Sequence, residues 1–253
     1  MVERQHSFVG QVVVVTGAGG AIGQSICNRF LQLGASVVAL DLEFKESPVH
    51  EGCHAVECDI SSEGSVQQAC DVVRKEFGRC DVLVNNAAIM SPVCSILETS
   101  LALWEQILKV NLTGAFLTTT LFGRFMLESG RGCIVNVGSV GAANPSSSAA
   151  YGPSKAGLLA FTRQVAVEWG PLGIRANSVS PGMVRTPMSE SFYNDDEVLK
   201  ARSGSVPLRR LASTSDMANA VVFLASDDAA YINGHDLVAD GGFTMASLSN
   251  LPK

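Results

Sequence analysis

The stretch V-V-V-V-T-G-A-G-G-A-I-G, from Val12 to Gly23, runs an apolar strand straight into a glycine-rich turn. Four consecutive valines and Thr16 read as a strand buried on both faces, because a strand with one wet face alternates apolar and polar residues. The glycines then permit a sharp turn, and the stretch Ile22–Leu33, ending at Gly34, predicts a helix. Strand, glycine turn and helix in that order leave unpaired backbone N–H groups at a helix N-terminus, a place suited to a pyrophosphate.

The same alternation continues along the chain. Strands are predicted at Ser36–Leu40, His54–Cys58, Asp81–Val84, Cys133–Val137, Arg175–Val179 and Asp236–Val238. Helices are predicted at Ser65–Phe77, across much of Leu101–Leu127, at Ser154–Trp169 and at Asp216–Leu224. Apolar strands alternating with helices imply an α/β fold, a doubly wound parallel sheet of the Rossmann type, with ligands beyond the carboxyl ends of the strands. The 253 residues are expected to form a single domain, since no repeat, low-complexity tract or Pro/Gly/Ser-rich linker divides them. One stretch, Met183–Pro207, is less regular and carries the acidic run Asp195-Asp196-Glu197; it is expected to be a substrate lid.

Composition narrows the function. Hydrophobic residues make up 47% and charged residues 17%, with a formal charge of −6. Such a chain folds into a globule and lacks the clustered basic residues that nucleic acid requires. No apolar run approaches the roughly 18 residues of a membrane helix, and the N-terminus lacks the apolar core of a secretory signal. Seven cysteines without a C-x-x-C pair fit reduced thiols in a cytoplasmic protein. The histidines His6, His50, His54 and His235 have no metal-ligand spacing, so no metal site is expected.

Two further features point to chemistry. Asp41 closes the second strand, in V-V-A-L-D, where a carboxylate can accept both ribose hydroxyls of an adenosine and repel a 2′-phosphate. Ala18–Ile22 holds no Lys or Arg for an extra phosphate, so NAD is expected over NADP. Tyr151 and Lys155 lie four apart in A-Y-G-P-S-K-A-G, on one helical face. An adjacent ammonium favours the phenolate and is expected to lower the Tyr151 pKa from its usual value of about 10, fitting it for acid–base work.

Taken together, residues from about Phe8 to Thr244 resemble the short-chain dehydrogenase/reductase family. T-G-A-G-G-A-I-G resembles its cofactor loop, with Ala21 where a middle glycine is usual. Cys58-Asp59-Ile60 resembles its adenine-contacting segment, and N-N-A-A (Asn85–Ala88) its N-N-A-G, with Ala88 in place of the glycine. Asn111 in V-N-L-T-G, Ser139 in V-N-V-G-S, Tyr151 and Lys155 match its catalytic tetrad. Ser180–Met188 resembles its nicotinamide-binding segment, and the tail through Asp240-Gly241-Gly242-Phe243 its closing strand. Pro153, between Tyr151 and Lys155, departs from the family's small non-proline residues.

The resemblance implies cofactor contacts from Gly17, Gly19, Gly20, Ala21, Ile22 and Gly23, and from Asp41, Leu42, Asp59 and Ile60. It adds Asn86, Ala87 and Ala88, then Tyr151 and Lys155, then Pro181, Gly182, Val184, Thr186 and Met188. It implies that Tyr151 exchanges a proton with a secondary alcohol or ketone while Ser139 holds the substrate oxygen. Lys155 lowers the Tyr151 pKa and binds ribose hydroxyls, and Asn111 helps hold a proton-relaying water chain. Met90–Cys94, Val140–Ala142, Met183 and Ser189–Pro207 are placed around the pocket, whose small or apolar residues suit a neutral, fairly hydrophobic alcohol. A homotetramer or homodimer is expected from Leu101–Leu127 and Tyr151–Trp169, helices apolar on more than one face. An NADPH-dependent 3-oxoacyl thioester reductase and a non-catalytic NAD(H) sensor are the rivals; Asp41 argues against the first and the intact tetrad against the second.

Overall fold

A computed structural model describes residues 7–44, 51–90, 93–145, 148–186, 189 and 195–246. The strands are β1 (Val12–Thr16), β2 (Ser36–Asp41), β3 (Cys53–Glu57), β4 (Val82–Asn85), β5 (Gly132–Val137), β6 (Ile174–Pro181) and β7 (Asp236–Ala239). They form one sheet in the order β3-β2-β1-β4-β5-β6-β7, with every neighbouring pair parallel. Each strand expected from the sequence is present, with small shifts at the ends.

The valine run explains the central strand. Val13 and Val15 enter one core with Phe8, Ile26, Phe30 and Val221, whereas Val12 and Val14 enter another with Leu83, Phe122 and Val165. None of the four valines is more than 5% exposed, and burying each contributes about 1.5–3 kcal/mol. The first core lies under α1 (Ala21–Gln32) and α7 (Thr214–Ala225). The second lies under α2 (Glu63–Glu76), α4 (Ala115–Ser129) and α5 (Tyr151–Trp169).

Polar groups are also buried in that second layer, and they satisfy one another. Asn85 and Asn136 face each other in register on β4 and β5. Asn85 donates to Asn136 Oδ1 at 2.9 Å, and Thr118 of α4 donates to Asn85 Oδ1 at 2.7 Å. Asn136 donates to Thr162 of α5 at 2.8 Å. Strand ends and helices are thereby fixed by directed bonds as well as by apolar packing.

Two expectations about helices are corrected. The stretch Met183–Pro207 is not irregular throughout: α6 spans Asp196–Ser205. Its N-cap is Asp195, which accepts from Glu197 N and Val198 N, while Asp196 and Glu197 complement the helix dipole. The acidic run is therefore a helix start. Residues 187, 188 and 190–194 of the expected lid, including Met188, lie outside the described residues. Likewise, Leu101–Leu127 is not one uniform helix, because α3 (Leu101–Leu108) passes through a π-helical turn at Lys109–Gly114 before α4. Such turns accommodate an extra residue where a side chain is held by outside partners.

The chain runs from β1 outward to β2 and β3, then returns to β4 on the other side of β1. A crevice at such a reversal is where open α/β sheets bind ligands. No helix among the described residues is long and apolar enough to cross a membrane.

Candidate active site

Most residues singled out in the sequence gather at the carboxyl edge of the sheet, on the loops that leave β1, β2, β4, β5 and β6 and at the start of α5. Gly17, directly after β1, has φ +63°, and a Cβ there would lie 2.7 Å from the Ala87 Cα. A Cβ on Gly23 would overlap the Gly17 carbonyl, so the turn can fold back against α1 only with glycine at both positions. The loop after β4 is laced to this turn. Asn86 Nδ2 donates to the Thr16 and Gly17 carbonyls at 3.0 and 2.9 Å, and Thr16 Oγ1 accepts from the Asn86 and Ala87 N–H groups, both at 3.1 Å. This clamping role of Thr16 was not read from the sequence; a polar residue ending a valine run was the available signal.

At the start of α1, the N-cap Gly20 supplies no side-chain acceptor and the first turn contains no acid. Its N–H groups are therefore suited to an anion. Beside it, Asp41 accepts from Gly19 N–H through one carboxylate oxygen and from Leu42 N–H through the other, both at 2.8 Å. Each oxygen has spare lone pairs, so the carboxylate is oriented yet can still accept hydroxyl donors. Further along the edge, Asp59 Oδ1 takes the Ser61 N–H at 2.9 Å, and Ile60 packs against Gly114. These features fit a dinucleotide: an uncapped helix end for phosphates and a fixed carboxylate for a ribose. Pro181 and Gly182 leave β6, and Val184 and Thr186 follow on the same loop.

The remaining residues form a compact group. Ser139, after β5, accepts from Gly141 N–H at 3.1 Å, and its hydroxyl lies near enough to the Tyr151 phenol to favour the phenolate. Tyr151 opens α5, one residue from Gly152, whose lack of a side chain lets it sit against the Gly141 carbonyl. Pro153 falls in the first turn of α5, where a missing N–H leaves no helical bond broken. Lys155 is 2% exposed and donates to the Val137 carbonyl at 2.7 Å, with Nζ 5.8 Å from the Tyr151 ring centre.

The electrostatics differ from expectation. Burial pushes the Tyr151 pKa above its ordinary value, and the Ser139 hydroxyl only partly opposes this. Burial also lowers Lys155 from 10.5 to about 8. The anticipated lowering of Tyr151 by the ammonium is therefore not what these protein groups produce. A low-dielectric site disfavours both charged forms, and the ammonium is bonded to a backbone carbonyl.

Asn111 sits in the π-helical turn, 1% exposed, with its side chain fully engaged. Oδ1 accepts from Ile89 N–H at 2.8 Å, while Nδ2 donates to the Ile89 carbonyl at 3.0 Å and to Ser154 Oγ at 3.1 Å. Both amide protons are spent, leaving the side chain no donor for a substrate. Ser154, which sequence reasoning missed, was detectable as a serine three residues after Tyr151, the spacing at which a hydroxyl can bond back to a helix carbonyl.

At Gly141, which lies near the Tyr151 ring, opens a cavity of about 500 Å³, lined among others by Cys94, Ile96, Ala142, Pro145, Ala149 and Pro153. None of its described lining residues is charged. A second cavity of about 500 Å³ lies at the opposite, amino edge of the sheet, near Asp81, Arg131 and Arg175. Its arginines and Asp81 are engaged internally: Asp81 pairs with Arg79 and Arg131, and Arg175 donates to the carbonyls of Leu224, Ala225 and Ser226. Of the two, the uncharged cavity lies at the carboxyl edge of the sheet, where open α/β sheets bind ligands.

Comparison with known proteins places the chain among dehydrogenases. Residues 17–244 match the family described as Enoyl-(Acyl carrier protein) reductase. D-threitol dehydrogenase of Mycolicibacterium smegmatis is 39% identical over 245 residues, covering 93% of this chain and 94% of that protein. Cyclopentanol dehydrogenase of Comamonas testosteroni is 35% identical over 243 residues, covering 92% of this chain and 97% of that protein. Among solved structures, a putative NAD(P) dependent gluconate 5-dehydrogenase from Beutenbergia cavernae, with bound NADP at low occupancy, has a TM-score of 0.88. It is 34% identical, and the match covers 94% of this chain and 98% of that one.

Proposed function

We propose that this chain, which belongs to the short-chain dehydrogenase/reductase family, transfers a hydride between NAD and a neutral secondary alcohol or ketone, with Tyr151 as general acid/base. The compared relatives are, by name, dehydrogenases of threitol and of cyclopentanol, which supports an oxidoreductase acting on CH–OH groups. The observation that carries the reading is the Tyr151 phenol, close to Ser139 and flanked by the buried Lys155, on the same sheet edge as the glycine turn. The uncharged cavity at Gly141, near the Tyr151 ring, supports a neutral substrate.

NAD, when bound, supplies the hydride acceptor. The glycine turn from Gly17 to Gly23 and the uncapped start of α1 bind its phosphates, and Asp41 accepts its adenosine ribose hydroxyls. Asp59 and Ile60, Asn86–Ala88 and the segment Pro181–Met188 complete the binding surface. Ser139 holds the substrate oxygen, and Tyr151 takes the hydroxyl proton in oxidation or returns it in reduction. Lys155 binds ribose hydroxyls. Asn111 contributes by holding its segment of backbone, since its side-chain donors are spent within the protein.

The stretch around α6 serves as the cover over the substrate, leaving the sheet at Pro181 and Gly182. A homo-oligomer is supported by apolar groups on the outer faces of α4 and α5, where Phe116 is 47% and Val167 76% exposed. A monomer mass by light scattering would remove it.

Asp41 tests the cofactor assignment. Asp41→Ser should weaken NAD binding by about 1.5–3 kcal/mol, the scale of hydrogen bonds to a charged group. The same change should improve NADP relative to NAD by removing the charge that repels a 2′-phosphate. Titration of both cofactors against both proteins measures this. A wild-type chain that binds NADP as tightly as NAD would contradict the role given to Asp41.

A further inference from the structure

We propose that Ser154 is a positioning residue that sets the acid–base tyrosine against the π-helical turn, a role that rests on the reading of Tyr151 above. Ser154 is wholly buried. Its hydroxyl proton goes to the Tyr151 carbonyl at 2.7 Å, and its oxygen accepts the Asn111 amide at 3.1 Å. Asn111 in turn is bonded twice to the Ile89 backbone, at the end of the loop laced to the glycine turn. One line of hydrogen bonds therefore joins the β4 loop, the π-helical turn and the first residue of α5, and Ser154 is its last link.

Tyr151 needs such a link. It is the first residue of α5, and Ala150, the N-cap, supplies no side-chain bond to hold that end. A first helical turn without a cap frays readily. The bond from Ser154 fixes the backbone that carries the phenol, and it does so from a residue directly before Lys155. One turn further on, the two elements are in close contact: a Cβ on Gly157 would lie 2.9 Å from Leu112 Cδ2. The serine thus takes its reference from a tightly packed surface.

The consequence is kinetic. A displacement of about 1 Å at a reacting group costs about a hundredfold in rate, so losing this link should act on turnover. Ser154→Ala should lower kcat by about 10- to 100-fold while leaving the KM for NAD within about twofold, because the phosphate and ribose sites are elsewhere. In the background of Asn111→Ala, whose line is already broken, the same substitution should change kcat by no more than about twofold. If Ser154→Ala does not fold, Ser154→Cys is read instead. Its sulfur fills the site but donates and accepts weakly, so kcat should again fall.

A Ser154→Ala or foldable Ser154→Cys chain with wild-type kcat, its defect confined to the melting temperature, would overturn the proposal. So would fully additive effects of Ser154→Ala and Asn111→Ala. Tyr151→Phe is run in the same assay. If it retains turnover, the acid–base reading itself has failed; if it is inactive while Ser154→Ala is normal, only the link has failed.

Discussion

Tyr151→Phe should lower turnover by about 10²–10⁴-fold, the range that general acid–base catalysis contributes. The substitution deletes the hydroxyl but keeps the ring, so the packing against Gly141 is preserved. Ser139 would still accept the Gly141 N–H. NAD affinity should stay within about twofold, since Lys155 and the glycine turn are untouched. Steady-state rates with a neutral secondary alcohol, together with a titration of NAD binding, separate the two effects. A variant that turns over nearly as fast as wild type would remove Tyr151 from the chemistry while leaving the fold and the cofactor site in place.

The second large effect concerns Lys155, and it has a stability signature besides a catalytic one. Lys155→Met keeps a long straight side chain in the same buried space but deletes the ammonium. Turnover and NAD binding should both fall, each by about 10-fold or more, because hydrogen bonds from a charged group are worth about 1.5–3 kcal/mol. Stability should respond in the opposite sense as pH changes. Burial holds the folded pKa near 8, below the 10.5 of an exposed lysine, so the unfolded chain binds the additional proton between those values. Wild type therefore gains stability as pH rises from 8 toward 10.5, up to about 3 kcal/mol, and Lys155→Met lacks this gain. The lost bond to the Val137 carbonyl is a cost that does not vary with pH, so the slope isolates the ammonium. Denaturant midpoints at several pH values measure it. Parallel curves for the two proteins would show that Lys155 is not a buried cation.

Much of this was legible in the sequence because it depends on local pattern. The valines of β1 read as a strand buried on both faces and are so buried. The glycines after β1 read as a sharp turn, and backbone contacts show that positions 17 and 23 of it admit no side chain. Asp41 could be placed at a strand end from its position alone. α6 was missed although its start was visible: Asp195 at the N-cap, followed by two acids, signals a helix, but the apolar residues after it are too sparse to form a stripe.

The π-helical turn was not legible. Nothing in K-V-N-L-T-G breaks a helix before Gly114, and the turn accompanies bonds from Asn111 to residues far away in sequence. The pKa of Tyr151 was misjudged for a similar reason. Spacing shows that an ammonium is near, but only packing shows that burial outweighs it. Pattern reveals which residues meet; the balance of desolvation against charge is a property of the folded interior.

Hydride transfer from a carbinol carbon can be followed by isotope tracing. The chain is incubated with NAD and a neutral cyclic secondary alcohol carrying deuterium on the carbinol carbon, and the reduced cofactor is examined by mass spectrometry. The reduced nicotinamide should carry the deuterium, with the ketone formed in equal amount. Deuterium released to solvent, or binding of NAD with no reduction by any member of a panel of such alcohols, would contradict it.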